Sequence, residues 1–174
     1  KYSSLIWETS VISKRVMSWI LNADIILKNS NFEFKRNFIE SIVIQTNHLR
    51  KNFKHEINHQ KKIEVIAVLA LSGLVFKEYE ENYEYSLKEL EKLIKVFFDD
   101  KGFPVTRGPN DLLNHLKYFL LIKEVIKDAQ KYVPDYLENI IEKNLECLKQ
   151  ITTPTNTLPL FNGSIEDDLT NFYN

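Results

Sequence analysis

Turn formers are scarce in this chain: four glycines and five prolines in 174 residues. A β-sandwich or barrel reverses direction every 8–12 residues or so and needs such residues at each reversal, so the shortage argues for long helices. There is a single cysteine, Cys147, so no internal disulfide can form. It lies in step with Leu145, Leu148 and Ile151, and is read as a packed thiol on a helix face. Neither sign of charge is in excess: 23 Lys and Arg stand against 24 Asp and Glu, net -1, spread along the chain. No nucleic-acid partner is expected from such a distribution. Long apolar runs are missing too. The best candidate, residues 63–76, is too short for a bilayer and contains Glu64, so no transmembrane segment is expected. The first residue is Lys1 rather than Met and no signal peptide is visible. We expect a fragment or a processed chain, with localisation left open.

Signatures of cofactor chemistry are missing as well. Four histidines and scattered carboxylates form no HExxH or paired CxxC pattern, and neither GxGxxG nor GxxxxGK[ST] occurs. The acidic run at residues 78–84 lacks the alternating oxygen ligands of a calcium loop and reads as a solvated helix start. No metal and no cofactor are expected.

What is present is helical periodicity. Six helices are expected, near residues 10–27, 32–53, 61–76, 82–98 and 109–129, with the sixth starting after Pro134 and ending near Ile151. Asn31 suits the cap of the second, and Pro109 suits the first turn of the fifth. The fourth is amphipathic, with Leu87, Leu90, Leu93, Ile94 and Phe97 inward. The third is apolar on every side, which demands neighbours all round. Ala67, Ala70, Ser72 and Gly73 would let one of them approach closely. Short links make successive helices antiparallel. The fold class is therefore all-α, built from helical hairpins in one domain, residues 1–174, either as a bundle or as a curved stack. The absence of a regular repeat favours a degenerate toroid.

Several segments, in order, carry a resemblance. Trp7 is followed by Arg15 and Trp19. Gln45, His48 and Leu49 follow in the next helix. Leu69-Ala70-Leu71-Ser72-Gly73-Leu74 forms the buried helix. Asp99-Asp100-Lys101-Gly102-Phe103 leads to Thr106-Arg107-Gly108-Pro109, and Leu158-Pro159-Leu160-Phe161-Asn162-Gly163 comes last. Together they resemble the N-terminal helical toroid region of the heparinase II/III-like polysaccharide lyases, of the α-proteobacterial type.

The resemblance implies a partial (α/α) toroid whose C-terminal β-sandwich partner is absent, in a bacterial protein of the periplasm or cytoplasm. It implies β-elimination on a uronic-acid-containing glycan, with an acidic polysaccharide as partner. That reaction needs a group to neutralise the uronate carboxylate, a base for the α-proton and an acid for the leaving oxygen. Under this implication the catalytic candidates are Asn58, His59 and Arg107. The substrate-binding candidates are Gln45, His48, Gln60, Asn110 and Asn162.

The family's Asn-His pair before the buried helix is displaced here, with Gln60 standing where the Asn would be. No Tyr follows Arg107-Gly108-Pro109 until Tyr118. Plainer roles stand beside the catalytic ones. Asn58 suits a helix cap, Arg107 could pair with Asp99 or Asp100, and His48 could be a hydrogen-bonded, half-buried histidine. The alternative to an enzyme is a non-catalytic helical module that binds glycan or packs against another domain.

Overall fold

The computed structural model describes residues 5–165 and Leu169. Seven α-helices occur among them: α1 (Thr9–Leu21), α2 (Ala23–Leu27), α3 (Phe32–Asn52), α4 (His59–Val75), α5 (Glu80–Phe97), α6 (Pro109–Asp128) and α7 (Asp135–Ile151). The described residues contain no strand; an isolated bridge pairs Phe98 with Pro104. No described helix is long and apolar enough to cross a membrane. The chain divides into two compact units, Lys1–Glu89 and Leu90–Asn174.

The first expected helix is two. Asn22 has φ -110° and ψ 17°, and its side-chain amide donates to the Ser18 carbonyl at 2.8 Å. A short amide that bonds its own backbone competes with the helical ladder and ends it. Asn31 caps α3 by accepting the Phe34 N–H at 2.8 Å, as expected of it, and Pro109 begins α6.

In the first unit, α4 packs against both α1 and α3. Every residue from Ile63 through Gly73 is buried, so the expectation of a helix enclosed on all faces holds. Even Glu64 is only 3 % exposed; its Oε1 lies 3.9 Å from Lys14 Nζ. Gly73 sits where α4 meets the start of α5: a Cβ there would stand 2.4 Å from the backbone nitrogen of Tyr83.

In the second unit, α6 and α7 pack as a hairpin around Leu112, Leu116, Phe119, Ile140 and Leu148. His115 is buried between the rings of Phe98, at 5.4 Å, and Phe119, at 6.5 Å. The loop before α6 is fastened to α7. Asn144 donates to the Gly102 carbonyl at 2.6 Å, and the Cys147 thiol donates to the Lys101 carbonyl at 3.1 Å. Gly102 has φ +86°, and a Cβ on it would lie 2.5 Å from the Lys143 Cβ; only glycine meets both constraints.

Gly73→Ala should therefore destabilise the first unit by about 1–3 kcal/mol, the usual cost of forcing an extra methyl into a packed contact. Ordinary helix propensity would predict the reverse sign. Urea denaturation compares the two; an unchanged or raised midpoint would remove the close-approach argument.

Candidate functional site

In the first unit the polar candidates gather around the start of α4 and one face of α3. Glu8 caps α1 through the Val11 N–H at 3.1 Å and pairs through Oε1 with Lys61 of α4 at 2.5 Å. The hydrogen bond from Lys61 holds the Glu8 carboxyl below its ordinary range, against the opposing effect of burial. Glu56 turns back to accept the N–H groups of Ile57 and Asn58, both at 3.0 Å. Burial pushes its carboxyl up, but these bonds and Thr9 outweigh it and leave it lowered.

Asn58 caps α4, accepting the Lys61 N–H at 3.1 Å. His59 is the first residue of that helix and is half-buried. Burial first, and the Lys62 charge second, push its imidazole below the ordinary histidine value. Gln60 follows, with a buried side-chain oxygen that has no partner among the described residues.

Gln45 is buried and engaged at both ends. Its oxygen accepts Arg15 Nε at 2.6 Å, and its amide donates to the Ser41 carbonyl at 2.9 Å. Arg15 also donates to the Ile6 carbonyl at 3.2 Å, which draws the segment before α1 toward α3. Trp7 then meets the His48 ring edge-on at 4.8 Å. Beside them lies a groove of about 560 Å³ lined by Trp7, Ile44, Asn47, His48 and Lys51. Of these, sequence reasoning singled out His48 for binding and named Trp7 among the residues that carry the family resemblance. Asn47 and Lys51 were missed, although residues 44, 47, 48 and 51 have the spacing of one helix face.

In the second unit Arg107, Asn110 and Asn162 come together. Arg107 immediately precedes the Gly108-Pro109 start of α6 and has φ +55°, a left-handed backbone that non-glycine residues seldom adopt. Its Nη1 donates to Asp99 Oδ2 at 2.8 Å, and its guanidinium lies 5.8 Å from the Phe103 ring centre. Asp99 also accepts the N–H groups of Lys101 at 3.0 Å and Phe103 at 2.9 Å. The Asn162 amide donates to the Arg107 carbonyl at 2.7 Å. Asn110 ties the same two loops from the other side: its N–H donates to Ser164 Oγ at 3.2 Å, and its side-chain oxygen accepts the Ile165 N–H at 2.8 Å. The first turn of α6 thus has one of its open N–H groups satisfied by a residue 54 positions later.

No group of three or more His, Cys, Asp or Glu able to hold a metal occurs among the described residues. What these residues offer is hydrogen bonding, cationic charge and the half-buried imidazoles of His48 and His59.

Burial raises the Asp99 carboxyl, yet the Phe103 and Lys101 N–H groups and the Arg107 guanidinium more than offset this, leaving it below its usual value. A lowered carboxyl pKa stabilises the fold fully above the unfolded value, about 3.9, and loses that contribution as pH falls through the folded value. Asp99→Asn should therefore be less stable than the parent at neutral pH, and the gap should narrow as pH falls below the unfolded value of about 3.9. Denaturation curves across that range measure the gap; a gap independent of pH would disprove the assignment.

A family model, Heparinase II/III N-terminus, matches residues 1–174. Among solved structures, one described as the crystal structure of heparinase III aligns with a TM-score of 0.75 at 17% identity. The alignment covers 86% of this chain and 24% of that one. At that identity the likeness concerns the fold, and it agrees with the expected all-α hairpins of a partial (α/α) toroid. The chain spans about a quarter of the length of heparinase III. No curated protein matches it. A match that runs the whole length of the chain, on a fold shared with heparinase III, means that this chain belongs to the heparinase II/III family.

Proposed function

We propose that the protein containing this chain is a polysaccharide lyase that cleaves uronic-acid-containing glycans by β-elimination, and that this chain is the toroid part of it. The observation that carries the reading is the match of the entire chain to the heparinase II/III N-terminus. The chemistry of the two surfaces supports it. Arg107 is exposed, and a guanidinium fork suits a carboxylate or sulfate. The groove beside Trp7 combines an apolar floor with Asn47, His48 and Lys51 at its edge, a pattern suited to a sugar ring bearing negative charge.

In this reading His59 takes the α-proton. A base must be unprotonated to act, and burial and Lys62 keep its imidazole neutral to lower pH than an ordinary histidine. Asn58 and Gln60 flank His59 as polar contacts in the first unit, and in the second unit Arg107 receives a carboxylate or sulfate of the glycan. His48 and Asn110 contact the chain of sugars, whereas Gln45, buried and engaged at both ends, acts only by holding Arg15.

A second reading, a non-catalytic glycan-binding or domain-packing module, is favoured by two particular contacts. Asn58 is engaged as a helix cap and Arg107 as an ion-pair partner.

The intact protein, incubated with heparan sulfate, alginate and hyaluronan, distinguishes them through the absorbance of unsaturated uronate. The lyase reading expects product from at least one. Binding without product from any of the three would favour the module.

Where turnover is seen, His59→Ala should lower kcat by about 100-fold or more, the usual worth of a general base. The acid limb of the pH profile should fall below pH 6.5, the ordinary histidine value. Lys62→Gln removes a positive neighbour, so that limb should move to higher pH. A limb unmoved by Lys62→Gln would exclude His59 as the base.

A further inference from the structure

Two non-glycine residues with left-handed backbones are joined by one hydrogen bond. Arg107 has φ +55° and Asn162 has φ +49°, and the Asn162 amide donates to the Arg107 carbonyl at 2.7 Å across 55 residues of sequence. A backbone held in a sparsely populated region persists only where its surroundings enforce it. Here the enforcing contacts act on both parts of Arg107. The Arg107 N–H donates to the Pro104 carbonyl at 2.9 Å, and Asn162 holds its carbonyl. Asp99 fixes Nη1, and the Phe103 ring lies beside the guanidinium.

The described residues engage neither Nε nor Nη2 of Arg107, and the side chain is 59% exposed. The result is a guanidinium oriented by one nitrogen, with the other two directed away from that contact. Such an edge binds an anionic oxygen pair without first ordering a mobile side chain, and avoiding that cost raises affinity.

Asn162 is suited to this task. Asparagine is among the few non-glycine residues that enter the left-handed region readily, and Gly163 beside it, at φ +76°, continues the same turn. One of its two amide hydrogens is given to the Arg107 carbonyl.

We propose that Asn162 is a positioning residue for Arg107, acting on an acidic glycan through that carbonyl rather than by contact with the sugar. This rests on the lyase reading only in taking Arg107 as a group that receives the glycan's carboxylate or sulfate.

The test is a double-mutant cycle in the intact protein, with Arg107→Ala, Asn162→Gly and the combined variant. Glycine at 162 permits the left-handed backbone and removes the side-chain amide. Binding of alginate oligosaccharides, which carry carboxylates, and of heparan sulfate oligosaccharides, which also carry sulfates, is followed by calorimetry. Arg107→Ala should weaken binding about tenfold or more, and Asn162→Gly about three- to tenfold, within the range of coupled neighbours. Once Arg107 is gone, Asn162→Gly should have no further effect.

An equal loss in both backgrounds would mean that Asn162 contacts the glycan itself or merely tethers the loop, and would overturn the proposal. So would an inert Asn162→Gly beside a damaging Arg107→Ala, with the lyase reading left standing. An inert Arg107→Ala would instead remove Arg107 from the glycan site, and the inference with it. Where turnover is measurable, KM should rise more in Asn162→Gly than kcat falls, and the thermal midpoint should stay near that of the parent.

Discussion

The enclosure of α4 is the constraint on which the first unit depends. From Ile63 to Gly73 no side chain is left to water, so α4 can exist only with neighbours on every face. α1 and α3 supply two of them. At its end the Gly73 backbone meets the backbone of Tyr83 directly. Such a helix has polar ends as its sole contact with solvent. At its start stand Asn58, His59 and Gln60, with Glu8 and Glu56 turned toward the same turn. Polar side chains concentrate there because an enclosed helix leaves four N–H groups open at its beginning and nowhere else to satisfy them. Capping and chemistry therefore compete for one small region, and Asn58 is occupied by capping while His59, next to it, is not a cap.

Glu64 shows what the enclosure costs. A carboxylate with 3% exposure, one turn into an apolar helix, runs against the cost of burying charge. Lys14 approaches it from α1 with most of its own side chain still in water. A pair with one partner buried and the other largely in water is poor evidence of extra stability; its consequence is directional, because it favours the face of α1 that brings Lys14 to Glu64. Ser13, the residue before Lys14 in α1, is also fully buried, so polar groups lie within the packing beside the hydrophobic periodicity.

Most of the helical elements could be read from the sequence because periodicity and punctuation are local. The caps at Asn31 and Asn58 and the first-turn Pro109 are residue types with one dominant use at those positions. The break at Asn22 was harder, since Ile20, Ala23, Ile26 and Leu27 continue the apolar rhythm across it, and only the backbone bond of the Asn22 side chain interrupts the helix. The Trp7 groove was half legible. His48 stood out by type, whereas Asn47 and Lys51 look like ordinary solvated positions until Arg15 brings the preceding segment alongside α3. Trp7 and His48 lie 41 residues apart in sequence, and no local pattern announces their contact.

Arg107 illustrates a different limit. Its chemistry was evident from its type, but its backbone was not, because arginine carries no signal for a left-handed conformation as glycine or asparagine does. The conformation follows from long-range bonds to the segment at 162–165 and from Asp99, whose carboxylate organises the turn by accepting two N–H groups and then the guanidinium. These contacts make an ion pair with a dual character. Asp99 neutralises part of the charge that an acidic glycan would meet, which weakens long-range attraction. It also fixes where the remaining donors point, which lowers the ordering cost of binding. For a flexible surface arginine the attraction would matter more. For one whose backbone is already held at both its N–H and its carbonyl, the orienting effect is the larger, because the side chain has fewer arrangements left to lose and the anion has a defined edge to approach.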